Sequence, residues 1–200
     1  SNNVLTDFIR EGVYDRNRQF YNTMSPSMDI LISSNLERLL YSITQDPEEV
    51  RRYMARLNEV GRYQVGGKVK EKLQKRFKGY FCDDKETQRV IRSMYDRHGY
   101  LIDTHTAVAF SALEKYRAET GDGAPAIVAS TASPFKFCSS VLEALGEADI
   151  AQGLDALDQL TAKTGQPAPA PLAGLRNKRV RFTQVVEKER MADAVMSLLE

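Results

Sequence analysis

Residues 126–137 read AIVASTASPFKF, and this stretch decides the fold that we expect. A short, continuous apolar run between turn residues, here 126–130, is typical of a strand buried on both faces of a parallel sheet. Pro134 then stands where proline is tolerated, in the first turn of a following helix. Strand, tight turn and helix in this order predict an α/β protein with a parallel sheet.

The turn after the predicted strand carries two hydroxyl side chains, Thr131 and Ser133. Open parallel sheets bind ligands in the crevice beyond the carboxyl ends of their strands, and these side chains are expected at that place. The alternative is that both hydroxyls only cap the helix that follows. Their spacing leaves both interpretations open.

The rest of the chain is rich in helical patterns and poor in strand patterns. Apolar residues recur at helical spacing in segments that include 36–43, 50–57, 90–95 and 108–116. Weaker strand candidates are 18–23, 80–82 and 180–182. We therefore expect a helix-rich α/β architecture with a mainly helical insertion at 42–99. Residues 1–41 and 100–200 would form the α/β domain, which ends in a carboxyl-terminal helix.

Charge and composition exclude several classes of protein. The 200 residues include 28 basic and 27 acidic side chains, so a basic nucleic-acid-binding module is not indicated. The basic run at 68–78 is best interpreted as a solvated helix face. Cys82 and Cys138 are far apart and lack the spacing of a zinc site, which favours reduced thiols and a cytoplasmic protein. No apolar run reaches the length of a membrane span.

A second polar stretch, SPSMDILISSNLERLL, occupies residues 25–40. Its candidate binding residues are Ser25, Ser27, Asn35 and Arg38. Hydroxyls, an amide and an arginine near a helix start are groups that bind anionic ligands. Ser34 or Asn35 acting as a helix cap would explain much of the same pattern without any ligand.

A third stretch, Asp103-Thr104-His105-Thr106, begins the helix predicted at 108–116. A histidine in this position can contact a ligand or act as an acid or base. The alternative is a packed histidine that is hydrogen-bonded within the protein. Lys136 follows shortly after the possible ligand site at Thr131, but its place in the first turn of a helix does not favour a role as nucleophile.

Several segments together resemble the threonine synthases, in the longer form found in bacteria and fungi. They are NNVLTDFIREGVYDRNR, SPSMDILISSNLERLL, GYLIDTHTAVAF, STASPFKF and PLAGLRNKRVRF. The resemblance covers nearly the whole chain and implies the carboxyl-terminal portion of a fold type II pyridoxal-phosphate enzyme. Such an enzyme converts O-phospho-L-homoserine and water to L-threonine and phosphate. Thr104 departs from the family, which commonly has proline there.

The resemblance also implies roles for individual residues. Thr131 matches the hydroxyl that hydrogen-bonds the pyridine nitrogen of pyridoxal phosphate, and His105 and Thr106 match a helix start near the cofactor ring. Ser25, Ser27, Asn35 and Arg38 are candidates for substrate binding. These four are chosen for their chemistry.

The family's Schiff-base lysine, in an FKD-type motif, and its glycine-rich loops lie upstream and are absent here. The chain also begins at Ser1 instead of methionine. We therefore expect an incomplete chain that is inactive without the amino-terminal half, its partner. The alternative is a stand-alone, non-catalytic homologue that binds a ligand or a protein partner.

Overall fold

The computed structural model describes residues 2–198 and consists mainly of helices. The helices are α1 (Val4–Glu11), α2 (Leu36–Thr44), α3 (Pro47–Val60), α4 (Gly67–Arg76), α5 (Asp84–His98), α6 (Thr104–Thr120), α7 (Cys138–Ala144), α8 (Asp155–Thr164), α9 (Ala170–Ala173) and α10 (Met191–Met196). Two short strands, β1 (Val13–Asp15) and β2 (Arg62–Gln64), pair antiparallel. Short 3₁₀ turns include Pro26–Met28 and Pro134–Lys136. No helix within 2–198 is both long and apolar enough to cross a bilayer.

The amino-terminal elements pack around a cluster of aromatic rings. Tyr14 and Tyr63 are opposite each other across the β1–β2 pair, and their rings stack with centroids 5.4 Å apart. Phe8 of α1 meets the two rings edge-on, at 5.8 and 5.9 Å. Leu40 of α2 and Leu73 of α4 are fully buried in the same core. Aromatic rings bury a large apolar area each, so this core can form with only two short strands.

A second core lies between α5, α6, α7 and α8. Val90 and Ile91 on one face of α5 meet Val141 and Leu142 of α7, and Leu160 of α8 closes the cluster. All five side chains are buried. This grouping follows the 3.6-residue apolar spacing of the sequence.

Residues 77–82 cross over α1 between the two cores. The Thr6 hydroxyl donates to the Tyr80 carbonyl oxygen at 2.8 Å, and Arg10 Nε donates to the Gly79 carbonyl oxygen at 2.9 Å. Gly79 is needed at this crossing because a Cβ atom there would lie 3.0 Å from the Thr6 backbone. The crossing brings Cys82 to the first turn of α5, where its Sγ atom lies 3.2 Å from the Thr87 hydroxyl oxygen.

The helices predicted at 36–43, 50–57, 90–95 and 108–116 are confirmed as α2, α3, α5 and α6. Asp46 caps the start of α3, since its side chain accepts hydrogen bonds from the backbone N–H groups of Glu48 and Glu49. The domain limits at 42 and 99 stay a prediction.

The predicted strands are wrong for this structure. Residues 126–130 have no strand partner, and Ile127 is fully exposed at 101%. Residues 18–23, 80–82 and 180–182 are also irregular. A strand forms only where a neighbouring backbone accepts and donates its hydrogen bonds, and residues 2–198 supply no such neighbour here. The helix-rich α/β-like class therefore holds, whereas the parallel sheet is not confirmed.

Candidate functional site

The amino terminus of α6 is organised by the buried carboxylate of Asp103. This side chain is fully buried. Its Oδ1 atom accepts the backbone N–H groups of His105 at 2.9 Å and Thr106 at 3.4 Å. A carboxylate in this position caps the helix and is favoured by the positive end of its dipole. The cap holds the first turn of α6 in a defined orientation.

His105 uses both ring nitrogens inside the protein. Its Nδ1 atom lies 3.0 Å from Asp103 Oδ1, and its Nε2 atom accepts the backbone N–H of Ser27 at 3.0 Å. Since the carboxylate can only accept and the Ser27 N–H can only donate, the ring is neutral with its proton on Nδ1. The imidazole ring is 7% exposed and packs against the ring of Phe137, with the two ring centroids 4.8 Å apart. The structure thus shows the packed, hydrogen-bonded histidine that the sequence left as an alternative.

Thr106 connects α6 to the turn that follows residues 126–129. Its hydroxyl donates to Asp103 Oδ2 and lies 3.0 Å from the hydroxyl oxygen of Ser130. A threonine hydroxyl has one proton, so Ser130 donates the second of these bonds. Thr131, the next residue, is exposed. The structure therefore brings the predicted cofactor-binding residues Thr106 and Thr131 close together in the fold.

The two hydroxyls of the turn differ in what they do. Ser133 accepts the backbone N–H of Phe135 at 3.3 Å and caps the 3₁₀ turn Pro134–Lys136, as the capping alternative predicted. Thr131 has no hydrogen bond with any residue that the structure describes. Its hydroxyl is thus available to a ligand. Lys136 is exposed.

Most of the predicted substrate-binding residues line one cavity of about 540 Å³. Ser25, Ser27 and Asn35 contribute polar groups to its wall, and Leu5 and Val108 are among its apolar lining. A cavity of this size with an apolar lining and a few polar groups suits a small organic ligand. His105, Thr106 and Thr131 are not part of its lining.

Arg38 lies outside this cavity. It is exposed on α2, and its guanidinium donates to Asn35 Oδ1. Because the Asn35 oxygen is taken in this way, its amide N–H groups are left for other partners. Arg38 therefore contacts Asn35 and not the cavity, and its predicted role in substrate binding stays a prediction.

Two residues that the sequence analysis did not select hold the wall of the cavity in place. Asp29 accepts the Thr23 backbone N–H at 2.8 Å, the Thr23 hydroxyl at 2.7 Å and Asn2 Nδ2 at 2.8 Å. The Tyr14 hydroxyl donates to the Leu31 carbonyl oxygen at 3.0 Å and accepts the Ser33 N–H at 2.9 Å. Asp29 could have been suspected, since aspartate in a loop commonly accepts nearby backbone N–H groups. Tyr14 gave no such signal.

Cys82 also lines the cavity, as a free thiol. Burial raises the pKa of this thiol, which keeps it protonated and poorly nucleophilic at neutral pH. Within the described part of the chain, no group of histidine, cysteine and acidic side chains could hold a metal ion. The polar side chains of the cavity lining are hydroxyls and amides, together with the charged groups of Asp29 and Lys78.

Comparison with protein families and known proteins adds independent evidence. Residues 106–196 match the family described as "Threonine synthase, C-terminal". The human protein Threonine synthase-like 1 is 40% identical over 146 residues, which are 72% of this chain and 19% of that protein. Threonine synthase of Saccharomyces cerevisiae is 34% identical over 160 residues, 72% of this chain and 31% of the yeast protein.

Solved structures agree with the sequence matches. The crystal structure of yeast threonine synthase aligns with a TM-score of 0.81 and 29% identity, over 99% of this chain and 40% of that one. The pyridoxal-phosphate-bound threonine synthase from Brucella melitensis aligns with a TM-score of 0.72 and 32% identity, over 91% of this chain and 35% of that one. The chain thus spans about a fifth to two fifths of the length of these proteins.

Proposed function

We propose that this chain, which is related to the carboxyl-terminal portion of threonine synthases, forms one wall of the active site of a pyridoxal-phosphate-dependent lyase. The reaction would be that of threonine synthase, the conversion of O-phospho-L-homoserine and water to L-threonine and phosphate. The alignment of 99% of the chain with yeast threonine synthase carries this proposal. The cluster of polar groups around the start of α6 supports it. The protein would act in the cytoplasm.

The residues near Thr131 suit the pyridine ring of this cofactor. Thr131 presents an exposed, neutral hydroxyl, and the neighbouring Ser130 hydroxyl is held by Thr106. When bound, pyridoxal phosphate supplies an electron sink that stabilises a carbanion at the substrate. A neutral hydroxyl beside the pyridine nitrogen would make the ring a weaker electron acceptor, because it does not keep that nitrogen protonated as a carboxylate would.

The remaining predicted residues have supporting roles in the same proposal. Thr106 would fix the Ser130 hydroxyl. Both nitrogens of His105 are already hydrogen-bonded, so His105 would affect the cofactor's pyridine ring only through its partners, Ser27 and Asp103. Ser25, Ser27 and Asn35 would contact the substrate from the cavity, with Arg38 orienting the Asn35 amide.

The second wall would come from an amino-terminal part of the same protein. The exposed segment 126–130 supports this part of the proposal, because a buried parallel sheet is the environment that suits its apolar residues. Strands supplied by the amino-terminal part would pair with it and bury Ile127. The reading frame upstream of Ser1 tests this directly. An in-frame FKD-type motif and glycine-rich loop are expected, and a natural start codon at Ser1 would favour the alternative of a stand-alone binding protein.

Thr131→Ala in the full-length protein tests the cofactor contact. Loss of one hydrogen bond of about 1 kcal/mol should weaken pyridoxal-phosphate binding about fivefold. Thr131→Ser keeps the hydroxyl and should bind normally. Ser139→Ala, which changes an exposed hydroxyl on α7, serves as the matched control. Wild-type cofactor affinity and threonine formation in Thr131→Ala would contradict the assignment.

A further inference from the structure

We infer that His105 is a positioning residue that couples the cavity wall to the turn bearing Thr131. The coupling runs through a continuous series of hydrogen bonds between two segments that are distant in sequence. The role of the two segments in catalysis rests on the proposed function, whereas the coupling itself is a property of the fold.

The first link joins His105 to the cavity wall. Ser27 lies 78 positions before His105, and its backbone N–H is held by His105 Nε2 at 3.0 Å. The surrounding turn is closed by its own bonds, from the Met28 N–H to the Ser25 carbonyl at 2.9 Å and from the Asp29 N–H to the Pro26 carbonyl at 3.1 Å. Because the turn is internally closed, fixing the Ser27 N–H fixes the orientation of the turn as a whole.

The second link passes through Asp103. One of its carboxylate oxygens binds His105 Nδ1 and the other binds the Thr106 hydroxyl. A fully buried carboxylate is costly to leave without partners, so both bonds are strongly favoured over a rearranged geometry. A movement of the His105 ring therefore changes the partners available to Thr106.

The third link reaches the exposed turn. With its proton committed to Asp103, the Thr106 oxygen accepts the Ser130 hydroxyl at 3.0 Å. Thr131 follows directly in the chain and has the exposed hydroxyl assigned to the cofactor. The series from Ser27 to Ser130 thus lets a ligand in the cavity bias the position of Thr131, although His105 lines no part of the cavity.

Amide hydrogen exchange on the full-length protein tests this inference independently of catalysis. In the full-length protein, the proposed pairing with the amino-terminal part would protect the amides of 126–130. His105→Ala should then speed exchange in peptides covering 25–29 and 126–133 by at least fivefold, with 155–164 in α8 unchanged. His105→Gln, whose carbonyl oxygen can accept the Ser27 N–H, should restore protection at 25–29. His98→Gln changes the other, exposed histidine and should leave all three regions as in the wild type. Faster exchange at only one of the two linked segments would overturn the inference.

Thr106→Val provides the second variant, because it removes one hydroxyl with little change in volume. It should speed exchange at 126–133 while leaving the Ser27 contact in place. If His105→Ala fails to fold, Thr106→Val and His105→Gln test the coupling in its place. Their effects on 126–133 should be non-additive in the double variant, since both act through Asp103. Additive effects would refute the coupling.

A kinetic readout connects the same coupling to the proposed reaction. His105→Gln should alter KM for O-phospho-L-homoserine and the absorption spectrum of bound pyridoxal phosphate together. An unchanged spectrum with an altered KM would refute the coupling and leave the proposed function standing. A wild-type protein without threonine synthase activity would refute the proposed function, while the exchange experiment would still decide the coupling.

Discussion

The stacked pair Tyr14 and Tyr63 allows a sharp test of how the first core supports the cavity. Both rings are buried, at 1% and 2% exposure, and burial raises the pKa of both hydroxyls further above its usual value. The Tyr63 hydroxyl has no hydrogen-bond partner among the residues that the structure describes. The Tyr14 hydroxyl binds both the Leu31 carbonyl oxygen and the Ser33 N–H. The same one-atom deletion should therefore destabilise the protein at Tyr14 but not at Tyr63.

The magnitudes follow from these bonds. Tyr14→Phe loses two hydrogen bonds of about 1 kcal/mol each and should lower the free energy of unfolding by about 2 kcal/mol. Tyr63→Phe removes a buried group whose unpaired state costs roughly 1–3 kcal/mol, so it should be neutral or stabilising by about 1 kcal/mol. Tyr14→Phe should also weaken ligand binding in the cavity, because Ser33 belongs to its lining.

Urea unfolding followed by circular dichroism measures both changes. The midpoint of Tyr14→Phe should fall, whereas that of Tyr63→Phe should stay unchanged or rise. An unchanged slope would show that stability and not compactness has changed. The reasoning fails if Tyr63→Phe destabilises by as much as Tyr14→Phe, since the Tyr63 hydroxyl would then have a partner.

Two further predictions concern the crossing segment and the thiols. Gly79→Ala places a Cβ atom 3.0 Å from the Thr6 backbone and should destabilise by roughly 1–3 kcal/mol in urea unfolding. Gly123→Ala, with no atom within 4 Å, should be near neutral, and equal effects would contradict the packing argument. Burial raises the pKa of Cys82 and Cys138, so a smaller fraction of each is thiolate at pH 8 than in a free thiol. Iodoacetamide should label both slowly in the native protein and faster at more alkaline pH or in urea, and labelling at the rate of free cysteine at pH 8 would refute this.

Local chemistry explains which parts of the fold could be predicted. The apolar stripes of α2, α3, α5 and α6 have the period of a helix, and a helix satisfies its own backbone hydrogen bonds. The Asp46 cap of α3 was predictable for the same reason, since its partners lie two and three residues away.

Strands depend on partners that are distant in sequence. Residues 126–130 have the composition of a buried strand but lack a neighbour within 2–198. Conversely, β1 packs on α1 and β2 on α3, and these helices bring Val13–Asp15 and Arg62–Gln64 together, which no local pattern indicated. The role of Tyr14 at the cavity could not be predicted either, because its hydrogen-bond partners, Leu31 and Ser33, are distant from it in sequence.

The sequence by itself determined the relationship to threonine synthases, most of the long helices and the polar stretches at 25–40, 103–106 and 130–131. Only the tertiary structure decided how these stretches are connected. It placed Ser25, Ser27 and Asn35 on one cavity, left Arg38 outside that cavity beside Asn35, and gave His105 two internal partners. The physical reason is that a side chain's availability to a ligand depends on which hydrogen bonds the folded protein has already used. Residue type and spacing describe the groups a chain can offer, and packing determines which of them are left.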